Sequence, residues 1–220
     1  MKNYPFSLFS AISRAFSLKK PISEIQTGDL NVSLFENDAE FDWLYPEHIE
    51  LMSHGHWTPL AIARKAAEFL AIPDAKVLDI GSGIGKFCLA GAYDFPKTFF
   101  YGVEQRLELH NYAEDAKEFT QLANVNFIHA NVTQINFKEF DHFYFYNSFY
   151  ENIDQENRID DTIETSFGLY TYYTRYLLHA LTEKPPGTRL VTYQSLEEEV
   201  PIGYKLADSY NVFLKMWIKE

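Results

Sequence analysis

The sequence predicts an α/β fold: a doubly wound mixed sheet, mostly parallel, with an antiparallel strand at its C-terminal end and an N-terminal helical extension. Three observations carry this. Short apolar runs alternate with helix-spaced segments between Leu60 and Tyr193, a glycine-rich turn (Gly81 to Gly85) joins the first run to the next helix, and the tail from Val212 to Lys219 alternates residue by residue.

The elements follow in order. Thr58-Pro59 reads as an N-cap with proline at the first helical position, and Leu60 to Ile72 sets Ala63, Ala66, Ala67 and Leu70 on one face. Lys76-Val77-Leu78-Asp79-Ile80 is a short continuous run of the kind buried on both sides in a parallel sheet. A helix through Phe87, Leu89 and Ala90 follows the glycines, then a strand over Thr98–Val103. Arg106 to Ala123 carries a helical stripe of Leu109, Tyr112, Ala113, Ala116, Phe119 and Ala123. Strands are expected at Val125–His129, His142–Tyr146 and Arg189–Tyr193, with a largely helical stretch from Asp154 to Leu181 closed by Pro185-Pro186-Gly187. Strand periodicity in the tail, together with Gly203 to Ala207, suggests a terminal antiparallel pair. Residues 1–57, broken by Pro5, Pro21, Gly28 and Pro46, read as an extension or cap, and 58–220 as the main domain. Within the former, Phe6, Leu8, Phe9, Ile12 and Phe16 suggest a short amphipathic helix packed on the body.

Composition bounds the function. A chain of 220 residues suits one domain with a full core, and its 19 Phe and 15 Tyr argue against disorder. The formal net charge of -12 speaks against gripping a nucleic acid by its backbone, which needs basic stripes; Lys19-Lys20 and Arg64-Lys65 are not clusters. A small molecule or a basic protein is the expected partner, with nucleic acid and membrane both disfavoured. Cys88 stands alone, so no internal disulfide forms. Without a signal-peptide pattern or an apolar run of about eighteen residues, a cytoplasmic location is expected.

Asp79-Ile80-Gly81-Ser82-Gly83-Ile84-Gly85 leaves a strand and enters a helix, and the glycines are expected to let the backbone approach a ligand closely. The dinucleotide fingerprint G-x-G-x-x-G fails at its sixth position, which is Lys86. In its place an acid stands two residues ahead of Gly81. A carboxylate there suits a ligand carrying an ammonium and a sulfonium, and would repel a pyrophosphate. Glu104, closing the second strand in Tyr101-Gly102-Val103-Glu104, can accept both hydroxyls of a ribose, each such charge-assisted bond contributing about 1.5–3 kcal/mol.

Val77 to Ala92 resembles motif I of the class I S-adenosylmethionine-dependent methyltransferases, and the likeness extends from about residue 56 to 220. It implies a Rossmann-like sheet with S-adenosylmethionine as cofactor. By that resemblance Asp79 and Gly81 lie near the methionine moiety, with Ser82, Gly83 and Gly85 of the same loop, while Glu104 binds the ribose and its neighbour Gln105 is a further cofactor-binding candidate. Asn131-Val132 would border the adenine; relatives commonly carry Asp where Asn131 stands, and an amide can both accept from the exocyclic amine and donate to a ring nitrogen. His54-Gly55-His56-Trp57-Thr58-Pro59 is similar to the Gly-x-His-x-Thr stretch of protein-modifying members, which closes over the cofactor and brings in His56 and Thr58. No metal site is expected, since His54, His56 and Cys88 lack ligand spacing.

Asn147-Ser148-Phe149-Tyr150 resembles the Asn/Asp-Pro-Pro-Tyr/Phe loop of amino-methyltransferases without its prolines. It is closer to the Asn-Asn-Phe segment of the non-SET histone-lysine methyltransferases (the disruptor-of-telomeric-silencing family), whose Asp-Leu-Gly-Ser-Gly-Val-Gly and Gly-Val-Glu are similar to Asp79–Gly85 and Gly102–Glu104. The resemblance makes Asn147, Phe149 and Tyr150 the catalytic candidates: an amide oxygen to orient an amine, and aromatic rings to cover developing positive charge. The acidic run Glu197-Glu198-Glu199 is expected to be a solvated loop. Methyl transfer to a nitrogen of a protein or small amine is therefore expected. The alternatives are an inactive cofactor-binding scaffold and an NAD-dependent reductase, the latter disfavoured by Asp79 and by the missing glycine.

Overall fold

The structure, a computed structural model, describes residues 34–154 and 156–220. The amphipathic segment expected near the N-terminus and the Lys19-Lys20 pair lie outside these residues. Three short helices come first, α1 (Asp38–Asp42), α2 (Glu47–Glu50) and α3 (Ser53–His56), followed by α4 (Leu60–Leu70), β1 (Lys76–Ile80), α5 (Lys86–Asp94), β2 (Phe99–Glu104) and α6 (Leu107–Thr120). Then come β3 (Val125–His129), β4 (His142–Tyr146), α7 (Phe167–Thr182), β5 (Arg189–Tyr193), β6 (Tyr204–Ser209) and β7 (Leu214–Lys219).

The seven strands lie in the order β3-β2-β1-β4-β5-β7-β6. β1 to β5 are parallel, and β7 runs antiparallel to both β5 and β6. This is the Rossmann-like mixed sheet with an antiparallel C-terminal strand that the sequence predicts. The chain steps outward from β1 in both directions, so a crevice opens at the carboxyl ends of β1, β2 and β4, where doubly wound sheets seat their ligands. Register brings Asp79 level with Gly102 and with Tyr144.

β1 is apolar without alternation because both its faces are covered: Val77, Leu78 and Ile80 are fully buried. On one side α4, α5 and α6 pack through Ala63, Ala67, Phe87 and Ala113, and residues 34–57 join the same core through Phe35, Phe41, Tyr45 and Trp57. On the other side Leu177 and Leu181 of α7 pack on Leu78, Phe143 and Leu190.

Several expectations need correction. Thr58 does not cap α4: its hydroxyl pairs with the Tyr144 hydroxyl at 3.0 Å, while Asp38 Oδ1 accepts the Leu60 N–H at 2.8 Å from outside the helix. α6 stops at Thr120 because Gln121 turns left-handed (φ 57°), which leaves Ala123 exposed and makes Thr120 the last residue of the buried stripe. The stretch from Asp154 is irregular until Ser166, whose side chain accepts the Leu169 N–H at 3.2 Å and starts α7. Crowded with Asp154, Glu156, Asp160, Asp161 and Glu164, it has no apolar stripe to bury as a helix. The tail strand begins at Leu214, and Val212 lies in the exposed turn before it. Glu199 is buried, with its carboxylate accepting from the Leu196 N–H and the Tyr170 hydroxyl, so the acidic run is only partly solvated.

Candidate functional site

The turn after β1 is built from three residues in left-handed backbone, Gly81 (φ 76°), Gly83 (φ 53°) and Gly85 (φ 82°). A Cβ at Gly81 would stand 2.5 Å from Ser148 Cβ, and one at Gly83 would stand 2.8 Å from the Trp57 ring. Gly81 and Gly83 line the cavity that opens above this turn, and their missing side chains also leave room for Ser148 and Trp57, which wall it. Above the turn opens a cavity of about 370 Å³, within the range of small-molecule sites. Every site residue expected from the sequence lines it except Gly85, which caps α5 and faces Phe127.

Two carboxylates from adjacent strand ends enter this cavity. Asp79 is buried; its Oδ2 accepts only from the Cys88 thiol, at 3.7 Å. Burial pushes its carboxyl well above the usual range, partly offset by that thiol, and Glu104 adds to the rise. With no cation opposite it among the described residues, Asp79 suits an ammonium group. Glu104 accepts the Gly83 N–H at 3.0 Å on one oxygen and the Arg106 N–H at 2.8 Å on the other. Each oxygen keeps a lone pair, enough for two ribose hydroxyls. Burial raises this carboxyl too, against the lowering by those backbone donors and the Arg106 charge. Ser82 Oγ, buried in the same cavity, has no hydrogen-bond partner.

At the end of β4, Asn147 adopts a left-handed conformation (φ 43°), and its amide oxygen is buried without a partner. Its backbone N–H donates to Ser195 Oγ at 3.2 Å, which fixes the turn from below. Phe149 is buried against Phe145 and Tyr173, whereas Tyr150 is partly exposed at the rim. His56 is half-buried above the cavity. Burial holds its imidazole below the usual histidine range despite Glu151, with Arg106 adding to the fall. His54 is exposed and does not line the cavity.

Asn131 departs from its expected role. Its amide oxygen accepts from Thr133 N–H and Oγ1, and its amide nitrogen donates to Gln105 Oε1 and the Tyr173 hydroxyl, both at 2.9 Å. With its donors and acceptor already engaged, the side chain has no free group to read an adenine edge. It braces Gln105 and Tyr173 instead, and Val132 presents an apolar wall beside it.

Among the lining residues not singled out from sequence, two are charged and buried. Lys86, at the position where a dinucleotide fold has glycine, is 2% exposed, and its Nζ lies 2.7 Å from Asp38 Oδ1 and 2.6 Å from Asp42 Oδ1. Arg106 grips Glu151 with two parallel bonds of 2.9 and 2.7 Å and Asp160 at 3.0 Å. In both cases the partners are distant in sequence; the only local signal was a basic residue placed beside a glycine or acid motif. Among the described residues, no group of three or more His, Cys, Asp or Glu converges as a metal site, and no helix is long and apolar enough to cross a membrane.

Comparison with known proteins agrees with this geometry. A family model described as "Putative methyltransferase" matches residues 74–173, from the approach to β1 into α7. Among solved structures, the chain resembles TrmN from Thermus thermophilus at 20% identity and a TM-score of 0.56, over 74% of this chain and 49% of that one. It thus spans about half the length of the Thermus protein. It also resembles an RNA methyltransferase from Salinibacter ruber in complex with S-adenosyl-L-homocysteine (17% identity, TM-score 0.51, 74% of this chain and 92% of that one). A third is a SAM-dependent methyltransferase from Aquifex aeolicus (16%, TM-score 0.50, 72% and 89%). At such identities the likeness is one of fold, and it does not extend to the narrower resemblance to the non-SET histone-lysine methyltransferases. No curated protein matches the sequence.

Proposed function

We propose that this chain is a class I S-adenosylmethionine-dependent methyltransferase that transfers a methyl group to a nitrogen, on a basic protein side chain or a small amine, held against Asn147. The observation that carries the proposal is the amide oxygen of Asn147: buried, unpartnered, and on a residue that lines the cavity at the end of β4. A buried acceptor without a donor is costly, and an incoming N–H would satisfy it.

When bound, the cofactor supplies an electrophilic methyl carbon on a sulfonium. The chain's own groups would hold it in place. Asp79 would pair with the ammonium of the methionine moiety, Glu104 would take the ribose hydroxyls on its two remaining lone pairs, and Ser82 Oγ is free to take or give a hydrogen bond. On the acceptor side, Asn147 Oδ1 would accept one N–H of the amine and so aim its lone pair at the methyl carbon. Positioning of this kind can supply ~7–11 kcal/mol of a barrier. Phe149 and Tyr150 both line the cavity, and a ring over the developing ammonium adds about 0.5–2 kcal/mol.

The charge around the cavity supports an amine rather than a nucleic acid. Among the described lining residues, the cations Lys86 and Arg106 are each paired with two carboxylates, while Glu151 and Asp154 face the same space. A phosphate would find no free cation there. The likeness to the Salinibacter RNA methyltransferase motivates the opposite arm of the test. The protein is incubated with methyl-labelled cofactor and, separately, with a basic protein, spermidine and total RNA. Label in the protein or amine, reduced ~100-fold by Asn147→Ala at unchanged affinity for S-adenosylhomocysteine, supports the reading. Label confined to RNA, or absent from every acceptor while S-adenosylhomocysteine binds, rejects it.

A further inference from the structure

The cavity wall on the acceptor side is formed partly by Tyr150, Glu151, Asn152, Asp154, Asn157 and Ile159. Little apolar packing holds these residues. Of the described positions from Tyr150 to Thr162, only Asn152 is buried; the partly buried ones are polar or charged except Ile159. Asn152 ties the start of the stretch to its end, donating to Phe149 O at 2.9 Å and accepting from the Ser166 N–H at 3.4 Å. What fixes the middle is polar. The Arg106 guanidinium, 4% exposed, spans Glu151 and Asp160, which stand 45 and 54 residues away in sequence. The planar fork gives two parallel N–H bonds to the Glu151 carboxylate while Nε holds Asp160; an ammonium could pair with both acids but could not make the parallel contact.

The same residue also serves the cofactor side. Its backbone N–H donates to Glu104 Oε1 at 2.8 Å, so the turn that orients the ribose-binding carboxylate is the turn that projects the guanidinium. We propose that Arg106 is a positioning residue that ties the stretches Tyr150–Asp154 and 156–162 to Glu104, so that filling the ribose seat orders the acceptor wall. Hydroxyls donating to Glu104 fix its carboxylate, and through it the 104–106 turn. The guanidinium then loses freedom to follow Glu151 and Asp160 outward. Coupling of this sort requires that the ligand favour the ordered state over the open one, and the shared carboxylate provides that difference. The inference rests on the cofactor seat assigned above, and is independent of which acceptor is used.

Hydrogen–deuterium exchange on the full chain, with and without S-adenosylhomocysteine, tests this. In the wild type, the ligand should slow exchange across 150–162 by at least about tenfold. Arg106→Gln should speed ligand-free exchange there by a similar factor and abolish the ligand's effect, leaving β1, β4 and α4 protected. Glu151→Ala should do the same without touching the Arg106 N–H on Glu104, and it keeps the test valid if Arg106→Gln fails to fold. Arg106→Lys should fall between, since it keeps the charge and loses the fork. Exchange in Glu151→Ala within about twofold of wild type, or ligand protection surviving in the variants, overturns the proposal. A wild type that binds the ligand without slowing 150–162 overturns the coupling alone; one that binds none overturns the cofactor seat as well.

Discussion

Replacing Lys86 by methionine should destabilise the protein more than any single surface change. The ammonium sits 2.6 Å from Asp42 and 2.7 Å from Asp38, over the Phe41 ring. Methionine fills most of the same volume, so little cavity is left. The cost falls unevenly on the two acids. The Asp38 side chain is 46% exposed and can turn to water while still holding the Leu60 N–H. Asp42 is 4% exposed and keeps only the Ser53 hydroxyl. Breaking a buried pair from one side costs ~3–5 kcal/mol, because the remaining charge stays buried without its partner. At ~2–4 °C per kcal/mol for a chain of this size, Tm should fall by roughly 6–20 °C. Guanidinium denaturation followed by tryptophan fluorescence measures the loss, and Trp57 reports the region directly. The decisive comparison is Lys86→Met with Asp42→Asn in the same chain. If stranded charge is the cause, the double variant recovers part of the loss. A cost below about 1 kcal/mol for Lys86→Met, or a double variant as poor as the sum of the two singles, would refute the reasoning.

Glu104→Gln should weaken S-adenosylhomocysteine by roughly 10- to 150-fold in isothermal titration, the equivalent of one charge-assisted bond, because an amide nitrogen would now face a backbone N–H donor. Asn131→Ala should leave that affinity within about threefold, since the amide is already committed to Gln105, Thr133 and Tyr173; a larger loss would mean the side chain turns to the base. Stability should also depend on pH. Asp79 and Glu104 both have carboxyls raised by burial in the folded state, so the folded protein binds their protons more tightly than the unfolded chain. Their contribution is complete below the ordinary carboxylate values and is lost as pH rises through the raised ones. Ligand groups that favour the ionised forms reverse this. The Tm gain from S-adenosylhomocysteine should therefore grow as pH rises from the ordinary carboxylate range through the raised values, and a gain that shrinks on that rise would contradict the assignment.

The sheet was legible because buried parallel strands are short, mostly apolar runs without alternation: Val77, Leu78 and Ile80 in β1 and Phe143–Phe145 in β4 are buried on both faces, and the turns and helices between them fix the reading. The glycine turn and Glu104 were legible because their chemistry is local to a strand end. What escaped was set at long range. Thr58 reads as a cap until Tyr144, 86 residues on, takes its hydroxyl. Asn131 reads as a base-reading amide until Tyr173 and Gln105 occupy it. The ion pairs of Lys86 and Arg106 left no local trace because their acids come from other elements. The acidic stretch after Asp154 reads as the start of the helix because the apolar spacing that begins at Phe167 follows it without a proline or glycine between them, and only the Ser166 cap marks the true start.

Trp57 is the point at which the two parts of the chain cease to be separable. Its ring occupies the space a Cβ at Gly83 would need, and its indole N–H is held by Ile49 O at 2.9 Å. A chimera that exchanged residues 34–57 to alter acceptor choice would therefore also remove one wall of the cavity above the glycine turn. The incoming segment would have to bring its own flat ring to that spot and its own carbonyl to anchor it. Engineering of acceptor preference is better confined to the Tyr150–Thr162 side, where the wall is held by charge and can be redrawn without recasting the turn.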